Sequence, residues 1–187
     1  MRSEIKRLVE DYKIKLRKKV RSDFIKVANE VNNEMFTEVN VMFDSFIRQF
    51  YSSYLTDVYV RHGQVRPGTG TGENLYNGKQ FRRTGGYNPT LTIDFNGSEM
   101  DDGYPAGGSP DQVLNSVMSG IRFPFDRPHG TGGAMTWVGN YSSTLTKRTY
   151  HGTMQEAFND FVNNFDDIVE PIFYQKWAAL GWPIPKR

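Results

Sequence analysis

Neither glycine nor proline occurs in the first 62 residues of this chain, and all 18 glycines and nine prolines of its 187 residues come later. A glycine costs a helix interior about 1 kcal/mol and a proline about 3 kcal/mol. Their joint absence leaves the first third free to run as helix. Between residues 63 and 139 the texture inverts, with 16 glycines and six prolines. The chain therefore reads as a helical front, a loop-rich body and a helical tail.

The front carries a helical period. Ile5, Leu8, Val9, Tyr12, Leu16, Val20, Phe24, Val27, Val31, Met35, Val39, Met42, Phe46, Phe50 and Tyr54 recur at steps of one, three or four residues. That is the stripe of an amphipathic helix, sustained for about fourteen turns. Ser3 is placed to cap it. From residue 39 onward the face widens and turns aromatic, which predicts deep burial. The weakest stretch is residues 29–40, where Asn29, Asn32, Asn33, Thr37 and Asn40 are poor helix formers. A continuous helix over residues 3–54 would be roughly 75–80 Å long, against a diameter of about 40 Å for a compact globule of this size. Either the helix folds back near Asn32 and Asn33, or its stripe packs on other copies.

Further elements follow from caps and alternation. Thr153 and Glu156 form a capping box that opens a C-terminal helix over residues 153–181, with a kink expected at Pro171 and a stop at Gly181. Ser109, Pro110 and Gln112 signal a short helix over residues 110–119 that ends at Gly120. Strands are expected at residues 74–81 and 90–95, and with weaker alternation at 135–138 and 143–147. The predicted class is α+β: long N- and C-terminal helices packing on a small antiparallel sheet with long Gly/Pro-rich loops. One domain is expected over residues 1–187, with a helical arm at 1–56, a β body at 57–152 and the closing helix at 153–181.

Composition excludes much chemistry. With no cysteine, a disulfide framework, thiolate zinc sites, iron–sulfur clusters and a cysteine nucleophile are ruled out. No run of 18 apolar residues is present to cross a membrane, and the N-terminus, which carries acids and no apolar h-region, does not read as a signal peptide. His62, His129 and His151 each precede a glycine, but none is spaced to share a metal. Gly68, Gly70 and Gly72 lack the strand before and the helix after that a phosphate loop requires. The glycine-rich stretch around His129 has no G-x-S-x-G elbow to serve. Asp101 with Asp102, and Asp166 with Asp167, are carboxylate pairs without a rigid cleft around them. No catalytic residue, cofactor or metal ligand is assigned, and a glycan-acting enzyme using Asp101 and Asp102 is the weakest reading.

Charge is more informative. Lys13, Lys15, Arg17, Lys18, Lys19 and Arg21 place six cations in nine residues with no acid among them, while acids gather at residues 94–111 and 156–170. The net charge of +2 conceals a basic arm and two acidic patches. Such a pattern suits contact between identical subunits, arm on body, or contact with nucleic-acid phosphates. A solvated helix face is the plain alternative.

A long basic helix that runs into Phe50, Tyr51 and Tyr54, then Tyr59 and Arg61 ahead of a glycine-rich loop, resembles the head–tail connection (neck or tail-completion) proteins of tailed bacteriophages. The resemblance covers most of the chain and rests on architecture and a few aromatics. It implies a virion structural protein without catalytic residues, made in the host cytoplasm and forming a ring of six or twelve copies between portal or connector and tail. On that basis the expected contact residues are Lys13, Lys15, Arg17, Lys18, Lys19, Arg21, Tyr59, Arg61, Arg66, Arg82 and Arg83, with portal, connector, tail proteins and packaged DNA as partners. A DNA-binding or packaging accessory protein acting through the basic helix is the second reading.

Overall fold

The computed structural model describes residues 2–52, 79–95, 118–122 and 135–185. Their order is α1 (Arg2–Ser52), β1 (Arg82–Thr84), β2 (Thr90–Thr92), β3 (Ile121–Arg122), β4 (Met135–Thr136), β5 (Gly139–Ser142), β6 (Thr149–Gly152), α2 (Met154–Asn163) and α3 (Phe165–Ala179). The class is α+β. Its strands form separate two-stranded pieces, β1–β2, β3–β4 and β5–β6, with β3–β4 and β5–β6 antiparallel. By contacts the chain divides into two compact units: Met1–Met35, Arg83–Leu91 and Asp166–Arg187 form one, and Phe36–Arg82 with Thr92–Phe165 form the other.

α1 does not break. It passes through residues 29–40 as regular helix, and three of the asparagines that weaken it locally are engaged by a distant segment, while Asn40 donates to the Phe36 carbonyl one turn back. In the first unit Asn29 donates from Nδ2 to the Gly86 carbonyl at 2.8 Å and accepts the Gly86 amide on Oδ1 at 2.8 Å. Asn32 Nδ2 donates to the carbonyls of Thr84 at 2.9 Å and Thr90 at 3.2 Å. Asn33 accepts from Arg83. Three side chains spaced along one helix face thereby hold the β1–β2 hairpin and supply polar partners that a two-stranded ribbon lacks on its own. Gly85 lies so close that an added Cβ would sit 2.9 Å from Asn29 Oδ1. A larger residue there would have to displace the Asn29 side chain.

The rest of the first unit is built on Val27, Val31 and Met35 of α1 and Ile168 and Ile172 of α3, all buried. Lys176 of α3 reaches Glu34 at 2.7 Å and Glu30 at 3.7 Å. The C-terminal segment departs from its expected single helix. It is interrupted at Asn164, which caps α2, and Pro171 lies inside α3. The stop is at the predicted place: α3 ends at Ala179 and Gly181 takes φ +83°.

In the second unit the aromatic end of α1 makes the core. Phe43 meets Phe81 and Phe95 at 5.1 Å and Phe158 at 5.6 Å between ring centroids. Phe46 and Phe50 meet Trp137 at 6.0 and 5.5 Å. Burying each such ring contributes about 1.5–3 kcal/mol, enough to make this segment of α1 the unit's anchor. The capping box forms as read: Glu156 N donates to Thr153 Oγ1 at 3.1 Å, and Thr153 N donates to Glu156 Oε2 at 2.8 Å. Gly152 before it takes φ +101°, a conformation open to glycine.

Other expectations shift. α1 begins at Arg2, so Ser3 lies within the helix and not at its cap. Residues 143–147 are not a strand; they belong to the turn joining β5 to β6, in which Thr146 N donates to Ser143 Oγ at 2.8 Å and Ser143 N to the Arg148 carbonyl at 2.8 Å. Residues 82–84 form the unanticipated strand β1, because Arg82, Arg83 and Thr84 are all exposed and offer no alternation to read. Of the strand expected at 74–81 only the last residues are described, with Lys79 bridging to Phe95. The helix expected at 110–119 lies almost wholly outside the described residues.

Replacing Asn29 by alanine removes both bonds to Gly86 and gains some helix propensity. A net loss of about 1 kcal/mol is expected. Amide exchange at Gly86 should quicken several-fold while exchange in α2 stays unchanged, as read by hydrogen–deuterium exchange.

Candidate interaction surface

The N-terminal stretch of α1 is the surface to account for. Every residue from 4 to 19 is exposed. Its apolar stripe is exposed as well: Ile5 57%, Leu8 64%, Val9 46%, Tyr12 65% and Leu16 37%. A helix with an apolar face ordinarily gains its stability by burying that face. Here the stripe is continuous with the buried Val27 and Val31 but is left bare.

The basic run sorts into tied and untied cations. Lys13 Nζ lies 2.8 Å from Glu10. Lys19 Nζ lies 3.4 Å from Asp23 and 4.8 Å from the centre of the Trp182 ring. Arg21 sits 4.6 Å above the Tyr87 ring in the β1–β2 turn. Arg17 and Arg21 flank a shallow apolar groove of about 440 Å³ formed with Leu16, Val20, Phe24, Ile25, Tyr87 and Asn88. Lys15 and Lys18 have no carboxylate partner among the described residues. The acids that answer the run thus lie outside it, one turn to either side.

Arg83 is held by Asn33, and Arg82 Nη2 donates to Gln80 Oε1 at 3.3 Å. Tyr59, Arg61 and Arg66 lie outside the described residues, as do His62, His129, Asp101, Asp102 and the 68–72 glycines. His151 is an exposed residue of β6 opposite Asn140. No group of three or more His, Asp or Glu able to hold a metal is found among the described residues. No described helix is long and apolar enough to cross a membrane.

Several participants were not legible in the sequence. Phe24 lies on the stripe yet is half-exposed, with Phe173 at 5.2 Å and Trp177 at 6.4 Å. Trp177 stacks on Trp182 at 5.4 Å. Trp182, read only as part of a stop signal, donates its indole N–H to Asp23 Oδ2 at 2.8 Å. A second groove, about 430 Å³, is lined by Phe24 with Asp166, Val169, Glu170, Phe173 and Tyr174 of α3. Asp166 and Asp167 stand in the first turn of α3, where negative charge complements the helix dipole. In the second unit Glu38 is buried on α1. Burial, then the charge and hydrogen bond of Glu38, push the Tyr141 hydroxyl up to about 12.

Comparison with known protein families, with curated proteins and with solved structures finds no match to this chain.

The Trp182 indole, assisted by Lys19, holds the Asp23 carboxyl below the usual carboxylate range. A depressed folded value contributes stability above the unfolded value of about 3.9 and loses it as pH falls through the folded one. The Trp182 indole N–H should therefore stay protected from exchange at neutral pH and lose protection on acidification through that range, as followed by its NMR signal. Asp23→Asn should flatten the acid dependence.

Proposed function

We propose that this chain is a structural assembly protein of a tailed-bacteriophage virion, a ring-forming neck or tail-completion component joining portal or connector to tail. The observation that carries the reading is the bare arm of α1, in which an apolar stripe and a dense set of cations share one exposed stretch of helix. Covering that stripe with protein removes apolar surface from water at about 25 cal/mol per Å², and untied cations select a partner of opposite charge. The architectural resemblance supplies the virion setting, with homo-oligomers of six or twelve and portal, connector and tail proteins as neighbours. The function needs no catalytic group.

Sedimentation velocity across a concentration series tests the assembly reading. The expected result is a mass that rises with concentration to a closed multiple of 21.5 kDa. Leu8→Glu with Tyr12→Glu should shift the transition to at least about tenfold higher concentration with an unchanged melting profile, because both side chains are exposed. A chain that stays monomeric throughout would defeat the reading.

The second reading, binding of nucleic acid by the basic helix, draws on Lys15 and Lys18. It expects duplex DNA affinity to fall steeply with salt, by a log–log slope of about −0.9 per phosphate neutralised. Replacing both lysines by glutamine should lower that slope by about 1–2 units. Equal affinity at low and high salt would eliminate it.

A further inference from the structure

We infer that the arm of one copy docks into the α3 groove of a second copy, with the apolar row Ile5, Leu8, Val9 and Tyr12 entering between Phe24, Phe173 and Val169, and the arm's cations meeting Asp166, Asp167 and Glu170. The inference deepens the assembly reading and rests on it.

Two complementary surfaces carry it. The arm offers exposed apolar side chains beside the densest run of positive charge in the sequence. The groove of about 430 Å³ offers apolar and aromatic walls with carboxylates at its edge: Asp166 and Glu170 line it, and Asp167 is exposed beside them. Apolar meets apolar, and cation meets anion. Two basic arms laid side by side in parallel would instead set the run at residues 13–21 against itself, a like-charge arrangement that disfavours pairing.

The arm cannot fill the groove of its own chain. Phe24 lines that groove and belongs to the same unbroken helix as the arm. Tyr12 lies about 18 Å along the helix axis from Phe24 at 1.5 Å per residue, so it could reach the groove only by breaking α1. The occupant must come from another molecule. Each copy then presents one arm and one groove, which are different surfaces, and a contact of this kind adds copies in series until a ring closes.

Mixing two complementary variants tests this. The arm variant is Leu8→Glu with Tyr12→Glu. The groove variant is Asp166→Lys with Glu170→Lys, and Asp166→Lys alone serves if the double variant melts early, since Asp166 is exposed. Each variant alone should self-associate at least about tenfold more weakly than the wild-type chain. An equimolar mixture should form a 1:1 complex in sedimentation velocity, because the groove variant keeps its arm and the arm variant keeps its groove. A wild-type chain that assembles while the groove variant assembles equally well, or while the mixture forms no complex, overturns the groove as the socket and leaves assembly standing. A wild-type chain that never associates overturns both.

Discussion

An unbroken α1 is the constraint on which the rest of this structure depends. Asparagine is unfavourable in a helix interior because its amide competes for nearby backbone. Here Asn29, Asn32 and Asn33 lie within about one turn of each other, and each has an external backbone or side-chain partner in the β1–β2 hairpin. The competition is redirected. Asn29 still donates to the Ile25 carbonyl at 2.7 Å, which shows the local alternative in the same residue, but its carbonyl oxygen and amide both serve Gly86. The hairpin gains a rigid support, and the helix keeps its register through a stretch whose composition favours a break.

That exchange explains which parts of the fold could be read in advance. The period of α1 was legible, since it is a one-dimensional pattern. The Thr153 capping box and the stop at Gly181 were legible because each is a local requirement of a helix end. The continuity of α1 was not legible, because it depends on partners 50 or more residues away in sequence. The break at Asn164 escaped for a related reason: Pro171 was the obvious interruptor, yet a helix tolerates proline when surrounding packing compensates for the lost bond, and here Ile168 and Ile172 are buried on either side of it. Strand β1 and the turn at residues 143–147 failed because short exposed strands and polar turns share a composition.

The candidate surface was half legible. The basic run was evident, and so was a stripe on the same helix, but the sequence could not say where the stripe stops being buried. The boundary falls near Phe24, where aromatic side chains of the C-terminal segment reach α1. Trp177 and Trp182 stack on each other, Trp182 is fixed by Asp23, and Lys19 lies over the same indole. This cluster terminates the packing in the N-terminal direction. N-terminal to Phe24, Tyr87 and Asn88 of the β1–β2 turn line the shallow groove with Leu16 and Arg17, and residues 4–19 are exposed.

The placement of charge is informative at that boundary. Lys13 and Lys19 are satisfied by Glu10 and Asp23, and Arg21 by the face of Tyr87, all within the chain. Exposed pairs of this kind contribute little to stability, typically under about 1 kcal/mol each, so they do not account for the density of cations. Lys15 and Lys18 have no carboxylate partner among the described residues, while α3 opens with two adjacent exposed carboxylates that no described cation of its own chain meets. The proposed contact between copies would match these opposite charges, each beside apolar surface, where a rigid helix cannot return to its own groove.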